Sequence, residues 1–392
     1  MGNIRSNKTS NLGGRSPGKI NASLDNKLNN VKWGKYRIDQ LFQSVTVKRK
    51  LKGDDISTQG FFPAYSSNSE NCGIVGYYDK PEFKCNTDSP IYVIFGDHTR
   101  TLNIATRSFS VLDNVKVLKP AINSVNALLF IFSMWKKQIP NLGYKRHWGI
   151  AKKCVLELPI KNNKLDIEYM ESFIEAIKGK RIVQLNDLLV NNGLSVSTLN
   201  DKEKNALRQL ETLNDKDWNE YKIGELFERI STIKLPYKAD DLPKQITNDY
   251  VLPCLTSSFQ NQGLNYYAPK SGATILKGVI SIPSNSDVYR AYYQSREFTV
   301  LSDAYAIGWK SKTSTLTPNQ YLFMVMCINK VTDLPIYSYK NKLGGWKTVK
   351  EKYIKLPVKD GQIDFELMEH LISALKKMLI KDVVKYVENH SK

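Results

Sequence analysis

Phe95-Gly96-Asp97-His98-Thr99-Arg100-Thr101 sets a carboxylate, an imidazole, two hydroxyls and a guanidinium side by side. The segment directly follows Pro90-Ile91-Tyr92-Val93-Ile94, an apolar run that reads as a buried strand. Ionisable groups clustered past a strand could support general acid–base chemistry, as in a nuclease built on Asp97 and His98. The same groups could read nucleic acid. Arg100 suits a bidentate contact to guanine, Asn103 suits adenine, and Thr99 or Thr101 suits base or phosphate. A third reading is structural, with Asp97 capping a turn and His98 packing.

Other chemistry is scarce. No G-x-G-x-x-G follows a strand, and neither the N-P-P-[YF] nor the D-P-P-[YF] motif of amino-methyltransferases is present. H-E-x-x-H is missing too. The near P-loop from Gly13 to Ile20 ends in Ile where Mg²⁺ needs Ser or Thr. Five cysteines (Cys72, Cys85, Cys154, Cys254, Cys327) are scattered with no C-x-x-C, and there are only 4 His. A metal site is therefore not expected, and free thiols in a reducing cytoplasm are.

The chain of 392 residues carries a formal net charge of +19. Such an excess favours a polyanionic partner, nucleic acid first, although a Lys-rich coding bias gives the same balance. No apolar run reaches the roughly 20 residues that cross a bilayer. The start has no apolar core of a secretory signal, and residues 1–31 read as a flexible polar tail.

What must position any site is a duplication. Trp33-Gly-Lys-Tyr-Arg-Ile-Asp-Gln-Leu-Phe-Gln matches Trp218-Asn-Glu-Tyr-Lys-Ile-Gly-Glu-Leu-Phe-Glu at each apolar position. The stretch from Pro63 matches that from Pro253, with Ser67/Ser257, Asn71/Asn261 and Gly73/Gly263 in step. Leu158-Pro159 recurs as Leu356-Pro357, each ten residues after a Trp (Trp148, Trp346). The offset grows from 185 to 190 to 198, so two units of domain size differ in loop length. The spacing predicts many short strands, a helix near 123–139 matched near 317–331, and a long amphipathic helix after each Leu-Pro. The stripes are Ile167, Met170, Phe173, Ile174, Ile177, Arg181, Ile182 and Phe365, Met368, Leu371, Ile372, Leu375, Met378, Leu379. Their matched length favours pairing with each other over packing on their own domains.

A gapless count back from Phe109 and Phe298 sets Asp97 against Ser286, His98 against Asp287, Thr99 against Val288 and Arg100 against Tyr289. Changed polar tips on a constant frame suit two readers of different bases better than one catalytic cluster. Asn285, Asp287, Tyr289 and Arg290 hold the equivalent place in the second unit. Ser67, Asn68, Ser69 and Asn71, with Ser257, Ser258, Gln260 and Asn261, form polar loops suited to phosphates and base edges or to plain turn chemistry. Lys145, Arg146 and His147, and Lys342 and Lys347, are basic groups near Gly-rich turns.

These residues resemble the specificity (S) subunit of type I restriction–modification systems and its type IIB-like relatives. The likeness rests on the paired W-x-x-Y-[RK]-I-x-x-L-F openings, PAYSSNSENCGIVGYY, IFGDHTRT, GYKRHW and the helix after each Leu-Pro. It implies an α+β fold of two β-rich target recognition domains in tandem, at 32–160 and 218–358. Spacer helices at 161–191 and 359–392 would pair as an antiparallel coiled coil with pseudo-twofold symmetry, and 192–217 would be a linker with a short helix. It implies double-stranded DNA as ligand, with His98, Thr99, Arg100, Thr101, Asn103 and the loop residues above as contacts, and no catalysis by this chain. DNA adenine methyltransferase subunits would bring S-adenosylmethionine, and restriction subunits, where present, ATP and Mg²⁺. A DNA-reading partner of a lone methyltransferase and a standalone nuclease are the alternatives.

Overall fold

The computed structural model describes residues 31–391, so the tail at 1–31 lies outside the described residues but for Val31. The chain divides into two compact units, up to Gln184 and from Leu185. In the first, β1 (Trp33–Arg37), a single helical turn α1 (Ile38–Leu41) and β2 (Phe42–Val45) open the unit. There follow β3 (Phe62–Tyr65), β4 (Ile74–Tyr78), β5 (Tyr92–Gly96), β6 (Thr101–Ala105), β7 (Ser110–Val111) and β8 (Val115–Pro120). Helices α2 (Val125–Gln138) and α3 (Trp148–Ala151), strands β9 (Val155–Lys161) and β10 (Lys164–Leu165), and helix α4 (Ile167–Asn191) complete the order.

Three sheets result, ordered β1-β9-β10, β2-β8-β5-β6 and β4-β3-β7. The opening strand pairs antiparallel with β9, Trp33 facing Pro159 and Gly34 facing Leu158. That pairing explains why the opening Trp motif and the Leu-Pro motif recur together: they are one ladder. β5 lies between β6 and β8 and is wholly buried from Val93 to Gly96, as its apolar run demands. Ser124 caps α2 by accepting from Ala127 N, and Leu128, Ile131 and Trp135 fill the core beneath.

The second unit repeats this order. It begins with α5 (Asp201–Thr212), then β11 (Trp218–Lys222), α6 (Ile223–Leu226), β12 (Phe227–Arg229), β13 (Leu252–Leu255), β14 (Leu264–Ala268), β15 (Val279–Pro283), β16 (Tyr292–Gln294), β17 (Thr299–Val300) and β18 (Ala304–Trp309). Helices α7 (Pro318–Thr332) and α8 (Trp346–Val349), strands β19 (Tyr353–Lys359) and β20 (Gln362–Ile363), and helix α9 (Phe365–His390) follow. Its sheets run β11-β19-β20, β12-β18-β15-β16 and β14-β13-β17, the same graph. Even the irregularities repeat: β3 and β13 each slip register at their last residue, between Ala64 and Tyr65 and between Cys254 and Leu255. Cys254 is buried at that slip, and burial pushes its thiol up to about 12.

The amphipathic stripes of the long helices are used unevenly. Met170 and Phe173 of α4 are buried in the first unit's core, with Ile174 and Ile177 against it. Leu367, Met368, Leu371 and Ile372 of α9 are likewise buried in the second unit, while Leu375, Met378 and Leu379 are exposed within it. The first half of each stripe thus packs on its own domain and is not free for the other helix. The short helix expected in a linker, α5, packs on α9 through Ala206 and Leu207 and belongs to the second core.

Candidate nucleic-acid interface

Three segments of the first unit meet beyond β5: the loop 66–73 between β3 and β4, the turn 97–100 between β5 and β6, and the segment 141–147 before α3. The loop closes through Ser66 N–H to Gly73 O (2.8 Å), with Asn71, Cys72 and Gly73 at φ +45°, +51° and +81°. Asn71 Nδ2 donates to Ile74 O (3.1 Å). The second unit copies this: Thr256 N–H to Gly263 O (3.2 Å), Asn261 Nδ2 to Leu264 O (2.8 Å), and Asn261, Gln262 and Gly263 at φ +50°, +55° and +84°. Asn and Gly tolerate the left-handed region at the two ends of each run, while Cys72 and Gln262 take it in the middle at some cost. Asn71 and Asn261, expected as ligand contacts, therefore hold loop shape with their amide donors. Asn68 and Ser69 stay exposed, as does Gln260, while Ser67, Ser257 and Ser258 are half-buried.

The turn 97–100 is a strut. Asp97 is only 3% exposed. Its Oδ1 accepts His147 N–H (2.9 Å) and Trp148 N–H (2.7 Å), capping α3. His147 is fully buried: Leu142 N–H donates to its Nε2 (3.1 Å), so Nδ1 carries the proton that bonds Asp97 O (2.9 Å). The basic contact expected at His147 is thus an internal brace, and Lys145 and Arg146 alone of that trio are exposed. Arg146 Nη2 reaches Asn114 Oδ1 (3.1 Å). Arg100 takes φ +58° and donates to Ile139 O (2.9 Å), which tethers the end of α2.

A small polar floor lies between loop and turn. His98 N–H donates to Ser67 Oγ (3.0 Å), and Thr99 and Thr101 hydroxyls bond each other (2.9 Å). Asn103 extends the floor, its Nδ2 buried beside Gly73 without a protein partner. His98 stacks on Tyr144 and its Nδ1 bonds Tyr144 O (2.8 Å).

In the second unit the turn is two residues longer. Ser284 N–H bonds Asp303 O (2.8 Å) where Asp97 N–H bonds Asn114 O (2.9 Å). Gly96 faces Val115 as Pro283 faces Ala304. Asp97 therefore corresponds to Ser284, and the gapless match to Ser286 is displaced by the insertion. Tyr289, expected on the surface, is 1% exposed and lies against Tyr337 in the core (6.1 Å). Arg290 pairs with Asp333 (2.6 Å) at the end of α7, much as Arg100 holds the end of α2. Asn285 is half-buried with Oδ1 lacking a protein partner, and Lys342 and Lys347 are exposed. Asp287 accepts Tyr339 N–H (2.8 Å), so an acid again ties the turn to the later segment.

A duplicated scaffold with unlike polar tips agrees with the comparisons. The model of the type I restriction modification DNA specificity domain matches residues 30–187 and 215–386. The chain belongs to that family. Its fold is similar to the type I restriction–modification S subunit from M. genitalium, 14% identical over 93% of each chain, TM-score 0.56. The HsdS subunit from Thermoanaerobacter tengcongensis is 11% identical over 96% of this chain and 93% of that one, TM-score 0.29. No curated protein sequence matches. The two specificity-domain matches cover the two units, and α5 falls between them.

Among the described residues of this specificity-family chain, no group of three His, Cys, Asp or Glu side chains is placed to hold a metal, and no helix is long and apolar enough to cross a membrane. Gly96 makes the polar floor possible. A Cβ there would press on Thr101 Oγ1 and lie 2.8 Å from Thr99 Oγ1 and 3.1 Å from Ser67 Oγ. Gly96→Ala is expected to destabilise the first unit by about 1–3 kcal/mol through overpacking. Thermal unfolding reads this; an unchanged midpoint would mean that the hydroxyls swing aside freely.

Proposed function

We propose that this chain is the non-catalytic, sequence-reading subunit of a restriction–modification complex. Each unit reads one half of a bipartite, asymmetric DNA target, and the long helices act as the paired spacer that sets the half-site distance. Adenine methyltransferase subunits dock on the chain and bring S-adenosylmethionine; a restriction subunit, where one joins, brings ATP and Mg²⁺. The setting is the cytoplasm. One observation carries the reading: an identical sheet graph in both units holds different polar groups beyond β5 and β15. Lys145, Arg146, Lys342 and Lys347 suit phosphates, and the groups around Ser67, His98, Thr99 and Thr101 suit base edges. The nuclease alternative on Asp97 gains no support, because that carboxylate is buried under α3.

Exchanging residues 63–153 for the same segment of another family member tests the modular reading. Mapping methylated bases should show one half of the motif replaced and the other kept. A change in both halves, or in neither, would refute it. Wild-type binding should also fall steeply with salt, as Lys and Arg displace counterions from phosphates.

A further inference from the structure

Two tyrosines stand out beside the turns after β5 and β15. Tyr144 is 84% exposed, yet its position is fixed. Its ring lies parallel to His98, centroids 4.4 Å apart and planes 6° apart. His98 Nδ1 bonds Tyr144 O (2.8 Å), and His98 N–H is in turn held by Ser67 Oγ (3.0 Å). One ring face is covered and the other looks outward. In the second unit Tyr339 is 56% exposed, its N–H bonded to Asp287 Oδ1 (2.8 Å) and Lys342 Nζ 4.7 Å from its ring centroid.

The two residues do not align. Tyr144 precedes Trp148 by four residues, and Tyr339 precedes Trp346 by seven. The anchoring bond runs in opposite senses: one tyrosine offers its carbonyl to an imidazole, the other its N–H to a carboxylate. A single exposed ring is ordinary. Two rings brought by different sequences to the same turn, each with its main chain tied down and exposed cations beside it, need a reason other than packing. A tyrosine ring supplies flat apolar contact at low entropy cost. An intact duplex keeps base faces stacked but presents thymine C5-methyl groups in the major groove.

We propose that Tyr144 and Tyr339 are specificity-determining residues. Each lays its free ring face against the C5-methyl group of a thymine in the half-site its unit reads. This rests on the DNA-recognition reading above.

The test uses the full chain co-purified with a methyltransferase subunit and a random-sequence duplex library. Selection gives the two half-sites, and uracil is then placed at each thymine in turn. Wild type should lose about three- to fivefold in affinity at one thymine of each half-site, the factor for one buried methyl group. Tyr144→Ala should lose the same factor on the thymine duplex and become indifferent to uracil there, in one half only. Tyr339→Ala should do this in the other half, and Tyr144→Phe should behave as wild type. The proposal fails if no uracil matters, if Tyr144→Ala weakens every sequence equally, or if Tyr144→Phe is as damaging as alanine. It fails too if the tyrosine effect grows when the base is left unpaired, which would mean stacking on an extruded base. If wild type selects no motif, the DNA-recognition reading itself fails.

Discussion

Asp97→Ala is expected to destabilise the first unit by about 2–4 kcal/mol and to free the segment before α3. The carboxylate is buried and accepts two backbone N–H groups, those of His147 and Trp148. Hydrogen bonds to a charged acceptor contribute more than neutral ones, and removing the acceptor leaves two N–H groups orphaned at the start of a helix. The loss propagates, because the carbonyl of the same residue holds His147 Nδ1 (2.9 Å), and His147 Nε2 holds Leu142 N–H (3.1 Å). Lys145, Arg146 and Tyr144 sit on the segment so braced. In a domain of this size the unfolding midpoint should fall by about 2–4 °C per kcal/mol. Amide exchange at Leu142, His147 and Trp148 should accelerate more than exchange in β5. Asp97→Asn keeps an acceptor oxygen and should lose clearly less. Unchanged protection of these three amides in Asp97→Ala would sink the strut assignment.

The scaffold was legible because cores constrain sequence. Trp33 and Leu158 recur as Trp218 and Leu356 because each pair sits in one ladder closing a unit. The loops at 66–73 and 256–263 were visible through the Asn and Gly that open and close each left-handed run. The polar tips were harder. Composition does not separate a carboxylate satisfied by buried N–H groups from one facing solvent, so Asp97 kept a catalytic reading beside the structural one, and His147 read as a DNA contact. The two-residue insertion before Tyr289 lies in the polar turn that begins Ser284-Asn285-Ser286-Asp287, which displaced the match of Asp97. Tyr144 and Tyr339 escaped notice because they share no position in the repeat; only their common neighbours, the turns after β5 and β15, pair them. The long stripes predicted helices correctly but did not show that their first halves serve the adjoining domains. A stripe records that a face is buried, and Met170 and Leu371 are buried by their own domains.

Glu203 shows how far a polar pair can decide the place of a whole element. Helix α5 lies outside both family matches, and polar contacts latch it to α9. The Glu203 side chain is 2% exposed, with Lys377 Nζ at 2.9 Å and Ser373 Oγ at 2.6 Å. Its other oxygen accepts Asn200 N–H (2.8 Å), closing a capping box with Asn200 Oδ1 and Glu203 N (2.9 Å). Glu203→Ala removes the return half of the capping box and strands Lys377, which keeps Thr198 O (3.2 Å) and some solvent. The expected loss is about 2–4 kcal/mol, at or below the usual range for breaking a buried pair. It should appear as faster proteolysis within 201–212. Burial alone would raise the carboxyl, but the bonds from Ser373 and Lys377 outweigh it and hold it below its ordinary value of 4.5. A carboxyl lowered on folding stabilises above its unfolded pKa, and that contribution is lost as pH falls through the folded value. Wild type should therefore lose α5 protection below about pH 4.5. Glu203→Gln, which keeps the cap oxygen and drops the charge, should start weaker and lose less across the same acid range. Equal acid sensitivity in wild type and Glu203→Gln would assign that sensitivity to other carboxylates and leave Glu203 a cap alone.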